Sequence, residues 1–314
     1  MNWKRKARIQ RICAGLPHGA AVYAQIQRRF GNRSADPFKR VPHHVDMLRA
    51  LSDLGVDVRD ARCLEVGTGH LPILPIMFHL SGATEVVTID LRPRIQWSLL
   101  SDAMNQLVSA PDTLISAYSG LVDGDLVRSR LANMSKYADR PQEFLDVAGI
   151  RYVAPGDASS VDARDHSFDL HFSTTVLEHV EPQALRAILR EAGRLLRPEG
   201  VAWHRIDPSD HFAHSDPTIG LINFLQFSDA AWHRLAGNEF GYCNRLRAPE
   251  LLAEFQRAGF TIIQASPSVD ARALHDIVEG FPVDHRFGAF TPEELATVGL
   301  DVAATPGVVA KFEH

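Results

Sequence analysis

The run Cys63-Leu64-Glu65-Val66-Gly67-Thr68-Gly69-His70 constrains this chain more than any other feature. An apolar strand enters a glycine turn that opens a helix, and the next strand, over 85–90, stops on the carboxylate of Asp90. Glycine lets backbone approach a ligand with no Cβ in the way, and the first turn of a helix carries N–H groups without intrahelical partners. A carboxylate closing the second strand can accept hydrogen bonds from a ribose diol. The pattern predicts an α/β fold that holds an adenosine-containing cofactor.

Beyond residue 58, strand and helix patterns alternate. Strands are expected over 62–66, 85–90, 151–154, 168–173, 201–206 and 260–264, with a seventh over 307–312. They are continuous apolar runs, as a parallel sheet covered on both faces requires. The best-defined helix starts near Pro182, where Leu185, Ile188, Leu189, Ala192, Leu195 and Leu196 form one apolar stripe. Residues 1–58 read as an N-terminal helical cap and 59–314 as a single domain. A helical insertion over about 92–149 follows the second strand, and an acceptor-side segment spans about 207–247. An insertion of that length serves as a lid or binding element, or as an added packing layer or dimer contact.

Composition narrows the class. With 45% hydrophobic and 23% charged residues, the chain reads as an ordinary soluble globular protein. Its net charge of -5 gives no reason to expect nucleic acid. The basic start, Lys4, Arg5, Lys6, Arg8 and Arg11, reads as a solvated helix face. Cys13, Cys63 and Cys243 are widely spaced and make neither a zinc pattern nor a disulfide framework, so a cytoplasmic location is expected. The apolar stretch 71–80 is too short to span a bilayer and contains Pro72 and Pro75, so no integral membrane segment is expected.

The order of several segments then carries a resemblance. Glu65-Val66-Gly67-Thr68-Gly69, Thr88-Ile89-Asp90, Pro155-Gly156-Asp157-Ala158, Phe168-Asp169-Leu170, Val176-Leu177-Glu178-His179-Val180 and the turn Arg197-Pro198-Glu199-Gly200 follow one another in sequence. In this order the chain resembles the class I S-adenosylmethionine-dependent methyltransferases, in particular their small-molecule branch with a Val-Leu-Glu-His segment. The likeness covers roughly 61–206 and extends more weakly through 249–266. It departs at Leu71 and Pro72: a dinucleotide fingerprint would place glycine where Pro72 stands, which disfavours a nicotinamide enzyme.

The resemblance implies a Rossmann-like, seven-stranded, mostly parallel sheet with S-adenosyl-L-methionine as cofactor. Gly67, Thr68 and Gly69 would pass close to its methionine and ribose parts, with Glu65 anchoring the adjoining water or amino-group network. Asp90 would hold the ribose hydroxyls, Leu91 would lie against the adenine, and Asp157 and the Ala158 N–H would meet the adenine edge. Ser173 and Thr174 would line the methionine side. Glu65 tying loop amides and Asp157 capping a turn are the plainer alternatives.

Methyl transfer from a sulfonium is a direct displacement, and a base is needed only when the acceptor is protonated. After the fifth strand stand His204, Asp207, Asp210, His211 and His214. His211 or His214 is expected as base, oriented by Asp207 or Asp210, with a polar loop of hydrogen-bonded histidines as the alternative. His179, His204 and Arg245 are expected to touch substrate. Asp210, His211 and His214 could ligate a divalent ion, but their spacing is not diagnostic and no metal is expected. The expected reaction is methylation of a small molecule, an oxygen acceptor favoured, on a sugar or specialised metabolite. An aminopropyl transferase or a non-catalytic binding subunit of the same fold are the rivals. The partner is a small-molecule acceptor rather than nucleic acid, and a homodimer is compatible with the sequence.

Overall fold

The computed structural model describes residues 1–19, 22–23 and 35–307. Its strands are β1 (Arg62–Val66), β2 (Glu85–Ile89), β3 (Ile150–Val153), β4 (Phe168–Thr174), β5 (Leu196–Ile206), β6 (Phe260–Val269) and β7 (Thr297–Pro306). They form a seven-stranded sheet in the order β3-β2-β1-β4-β5-β7-β6. β1 pairs in parallel with β2 and with β4, and β2 in parallel with β3. The sheet is mixed and mostly parallel, the Rossmann-like arrangement expected from the sequence. Strand order reverses between β1 and β4, and the carboxyl ends of strands at such a reversal border the ligand crevice of open α/β sheets.

Two compact units divide the chain. The core unit comprises Ser34–Ser173, Ile188–Trp203 and Thr305–His314, and the second unit comprises Met1–Arg33, Thr174–Ala187 and His204–Ala304.

In the core unit, Cys63, Leu64, Val86 and Val87 are fully buried, which is why β1 and β2 read as unbroken apolar runs. Helix Ile73–Leu80 buries Ile76, Met77, Phe78 and Leu80 and packs on β2. Between β2 and β3 lie helices Trp97–Ser109, Pro111–Ala117, Gly124–Met134 and Pro141–Val147. Leu100, Met104, Leu114, Met134 and Phe144 of these helices, and Tyr118 just after the second, are fully buried, so this segment forms a packing layer. His44 is locked into the same layer, with Nδ1 2.9 Å from the Tyr118 hydroxyl and its ring edge-on to Phe78. Burial lowers the His44 imidazole to about 3, so it is neutral at ordinary pH.

The second unit is organised around Trp3, Phe212, Phe224, Trp232 and Phe287. Helix Trp3–Ala14 turns Trp3 and Ala7 into this cluster and leaves Lys4, Arg5, Arg8 and Arg11 exposed, whereas Lys6, expected on the same solvated face, is half-buried and donates to Ser215 Oγ at 2.9 Å. Arg247 is fully buried and donates to the carbonyls of Pro208, Leu295 and Thr297.

Two strands differ from expectation. β7 runs over Thr297–Pro306, not 307–312, and 308–312 lie outside the described residues. Gly299 and Asp301 interrupt the apolar pattern of β7, and Asp301 is neutralised by Arg205 of β5, 2.6 Å away. β6 extends to Val269, beyond 264, with a largely exposed second half on the edge of the sheet. An edge strand needs little apolar content, so its sequence carries a weak signal.

Candidate active site

In the core unit, Glu65, Gly67, Thr68, Gly69 and Asp90 gather at the carboxyl ends of β1 and β2. The register places Glu65 opposite Thr88. Thr88 Oγ1 donates to Glu65 Oε2 at 2.5 Å, so the 2.6 Å contact between the two threonine hydroxyls has Thr68 as donor. Glu65 is 4% exposed. Burial pushes its carboxyl up to about 8, against the Thr88 hydrogen bond and with help from the Asp90 charge.

Gly67 and Gly69 have φ of 87° and 67°, the left-handed region that glycine enters without steric cost. The Gly69 N–H donates to Asp90 Oδ2 at 3.1 Å, and the Arg92 N–H donates to Oδ1 at 3.2 Å. Asp90 is also tied to the end of β3, its N–H donating to Val153 O and its carbonyl accepting from the Gly156 N–H. This link brings Asp157 and Ala158 to the same end of the sheet as Asp90. Asp157 is exposed and its Oδ1 accepts from the Ser159 hydroxyl and N–H, which hold its carboxyl below the usual range. Ala158 and Ser173 are buried, and Thr174 belongs to the second unit.

These residues fit a nucleoside cofactor. A Cβ on Gly69 would meet no heavy atom within 4 Å, so the space over the turn is open. Leu91, beside the acid that would take the ribose, is 70% exposed and offers an apolar face to a purine. A cavity of about 450 Å³ in the same unit, beside Leu48, Val56, Arg59 and Leu121, contains none of the predicted residues.

In the second unit, Asn244 builds a cluster within the segment expected to face the acceptor. Its side chain donates to Leu177 O and Val180 O at 2.8 and 3.0 Å, and its N–H donates to Glu178 O. These bonds staple the turn Leu177–His179 to the segment carrying Cys243. His179 Nδ1 therefore lies 2.8 Å from Tyr242 O and 3.7 Å from Cys243 Sγ. The His211 ring is 4.7 Å from that of His179 and 5.2 Å from that of His214, on which it stacks. Asp207 is the shared acid, its Oδ2 3.4 Å from His211 Nε2 and 3.8 Å from His214 Nε2.

The electrostatics follow from these contacts. Burial alone would lower His211, but hydrogen bonds to Asp207 and Cys243 lift it to about 11. Burial alone would raise Cys243, yet hydrogen bonds with His179 and His211 bring its thiol below the ordinary value. His214 is half exposed, and what burial it has lowers it.

Several expected contacts differ in the structure. Asp210 is 1% exposed and its carboxylate accepts from Asn223 Nδ2 and the Phe212 N–H, both at 2.9 Å. It braces the loop, and the carboxylate beside His211 and His214 is that of Asp207. His204 is fully buried with its ring 5.4 Å from Phe255, so it presents no face to an acceptor. Arg245 is also buried, and its guanidinium donates to Phe224 O, Phe227 O and Asp229. These internal acceptors take the donors that a substrate anion would need. Arg245 instead closes the wall of a cavity of about 250 Å³, beside Trp232, Tyr242 and Cys243.

Sequence reasoning passed over Cys243 and Glu178. Glu178 is 2% exposed, and among the described residues neither of its carboxylate oxygens has a hydrogen-bond partner. Burial raises it to about 7. Its only sequence signal was its place in the Val-Leu-Glu-His segment.

The profile of a family described as "Methyltransferase domain" matches residues 39–265. The chain belongs to the S-adenosylmethionine-dependent methyltransferases, and its cofactor is S-adenosylmethionine. No curated protein matches it. Among solved structures, an S-adenosylmethionine-dependent methyltransferase from Mesorhizobium loti is similar at 19% identity and a TM-score of 0.44, covering 83% of this chain and 96% of its own. The PH0226 protein from Pyrococcus horikoshii OT3 is similar at 13% identity and a TM-score of 0.45, covering 83% and 90%. The [4+2]-cyclase SpnF is similar at 14% identity and a TM-score of 0.44, covering 84% and 81%.

Proposed function

We propose that this protein transfers the methyl group of S-adenosylmethionine to a hydroxyl oxygen of a small molecule, a sugar or specialised metabolite. The observation that carries the acceptor side is the pairing of Asp207 with two histidines of unlike surroundings. His211 already has Asp207 and Cys243 as hydrogen-bond partners. His214 is half exposed, and its Nε2 is 3.4 Å from Ser209 Oγ. His214 is therefore the base that takes the hydroxyl proton, and Asp207 steadies the imidazolium that results.

The cofactor supplies an electrophilic methyl group on its sulfonium. Asp90 would hold the ribose diol, Leu91 would cover the adenine, Asp157 would receive the adenine amino group, and Glu65 would anchor the amino-group network. Aligning the reactants supplies most of the acceleration of a displacement, with effective molarities of about 10⁵ M or more. A base adds about 10²–10⁴-fold for a protonated acceptor.

Titration with S-adenosylmethionine by calorimetry, followed by mass analysis of a panel of hydroxylated small molecules, tests this reading. Binding and a one-methyl mass gain are expected. Binding without turnover on any acceptor would favour a non-catalytic subunit, and absence of binding would remove the methyltransferase reading altogether.

A further inference from the structure

The acceptor-side loop contains a donor set whose chemistry exceeds what a polar loop needs. One ligand atom from each of His179, His211 and Cys243 lies within 4.8 Å of the other two. Cys243 Sγ and His179 Nδ1 are 3.7 Å apart. A tetrahedral zinc ion with bonds of about 2.3 Å to sulfur and 2.0–2.1 Å to nitrogen holds such a pair about 3.6 Å apart. We propose that His179, His211 and Cys243 bind a soft divalent cation of the zinc class, with Asp207 supporting His211 from outside.

Two further observations support the site. Asp207 Oδ2 is 3.4 Å from His211 Nε2, the carboxylate-on-imidazole contact that orients a ligating ring and strengthens it as a donor. Glu178 is nine-tenths buried or more, adjoins His179 in sequence, and has no hydrogen-bond partner for either oxygen among the described residues. A buried carboxylate without donors is costly unless positive charge lies nearby, and a dication in this cluster supplies it.

The ligand types set the selectivity. Thiolate and imidazole prefer zinc and other transition ions to magnesium or calcium, which favour oxygen. In binding the ion, the Cys243 thiol gives up its proton, and His179 Nδ1 exchanges its hydrogen bond to Tyr242 O for the metal. Three protein ligands leave a fourth position open, unlike a closed structural site. The site stands independently of methyl transfer, and it leaves His214 free.

The test uses the full chain after dialysis against a chelator. Zinc added in competition with a chromophoric chelator should bind one ion per chain with a Kd below about 1 μM. Cobalt substitution should produce a thiolate-to-metal charge-transfer band in the near ultraviolet. Cys243→Ser should abolish that band and weaken zinc at least about 100-fold, while Asp207→Asn should weaken it about 10–100-fold. His179→Gln, at an exposed position, checks the site in a variant whose fold is not at risk and should also weaken zinc at least about 100-fold. Cys13→Ser should leave binding unchanged. No stoichiometric zinc binding, a cobalt spectrum without the thiolate band, or zinc affinity that survives both Cys243→Ser and His179→Gln would overturn the proposal. None of these readouts requires a methyl acceptor, so failure of the metal site is distinguishable from failure of the proposed reaction.

Discussion

Gly69 donates its backbone N–H to the carboxylate of Asp90 at 3.1 Å, so the glycine turn after β1 and the acid after β2 are one unit. The bond orients Asp90 Oδ2 and fixes the turn over whose open side we propose the cofactor sits. Replacing Asp90 with Ala should weaken S-adenosylmethionine binding tenfold or more in a calorimetric titration, since hydrogen bonds to a charged group are worth about 1.5–3 kcal/mol. Unchanged affinity would show that the ribose is held elsewhere.

Gly69→Ala separates backbone strain from ligand exclusion. At φ 67° an alanine costs about 1–2 kcal/mol, so the melting temperature should drop modestly. The added Cβ enters open space and meets no protein atom within 4 Å. Cofactor affinity should therefore fall further than stability does. Equal affinity in the variant would place the cofactor away from this turn.

Glu65 gives a pH dependence with a definite sign. Its carboxyl titrates at about 8 when folded and near 4.5 when unfolded. Between these values the unfolded chain has released a proton that the folded chain keeps, so stability falls as pH rises. The slope reaches about 1.4 kcal/mol per pH unit. Denaturant titrations at several pH values should show this slope in the difference between wild type and Glu65→Gln. A flat difference across that window would mean that Glu65 ionises normally.

His214→Ala should lower kcat by about 10²–10⁴-fold on a hydroxyl acceptor and leave S-adenosylmethionine affinity unchanged. Its half-exposed side chain makes a folding defect an unsuitable explanation for such a loss. Full activity in the variant would transfer the base role to another group.

Arg245 and Arg247 should prove structural. Arg247→Met strands the carbonyls of Pro208, Leu295 and Thr297 in a buried site, and a loss of about 3 kcal/mol or more is expected in chemical denaturation. Arg245→Ala should likewise reduce stability more than it raises the acceptor KM. A variant as stable as wild type with a raised KM would restore Arg245 as a substrate contact.

The sheet and the glycine turn tied to Asp90 were legible in the amino-acid sequence because their signals are local. Cys63 to Gly69 states strand, turn and helix start within a few residues, and Asp90 closes the next apolar run. β7 was harder to see because Asp301 breaks its pattern, and only its contact with Arg205 makes that acid tolerable in a strand. The acceptor side divides in the same way. The chain itself placed Asp207, His211 and His214 within one short loop, whereas the sequence distance of 64 residues between His179 and Cys243 hid their contact. Only tertiary structure joins them, through the Asn244 bonds to Leu177 and Val180. It also buried Asp210, His204 and Arg245, because which polar groups are packed against internal partners is decided by packing, not by residue type.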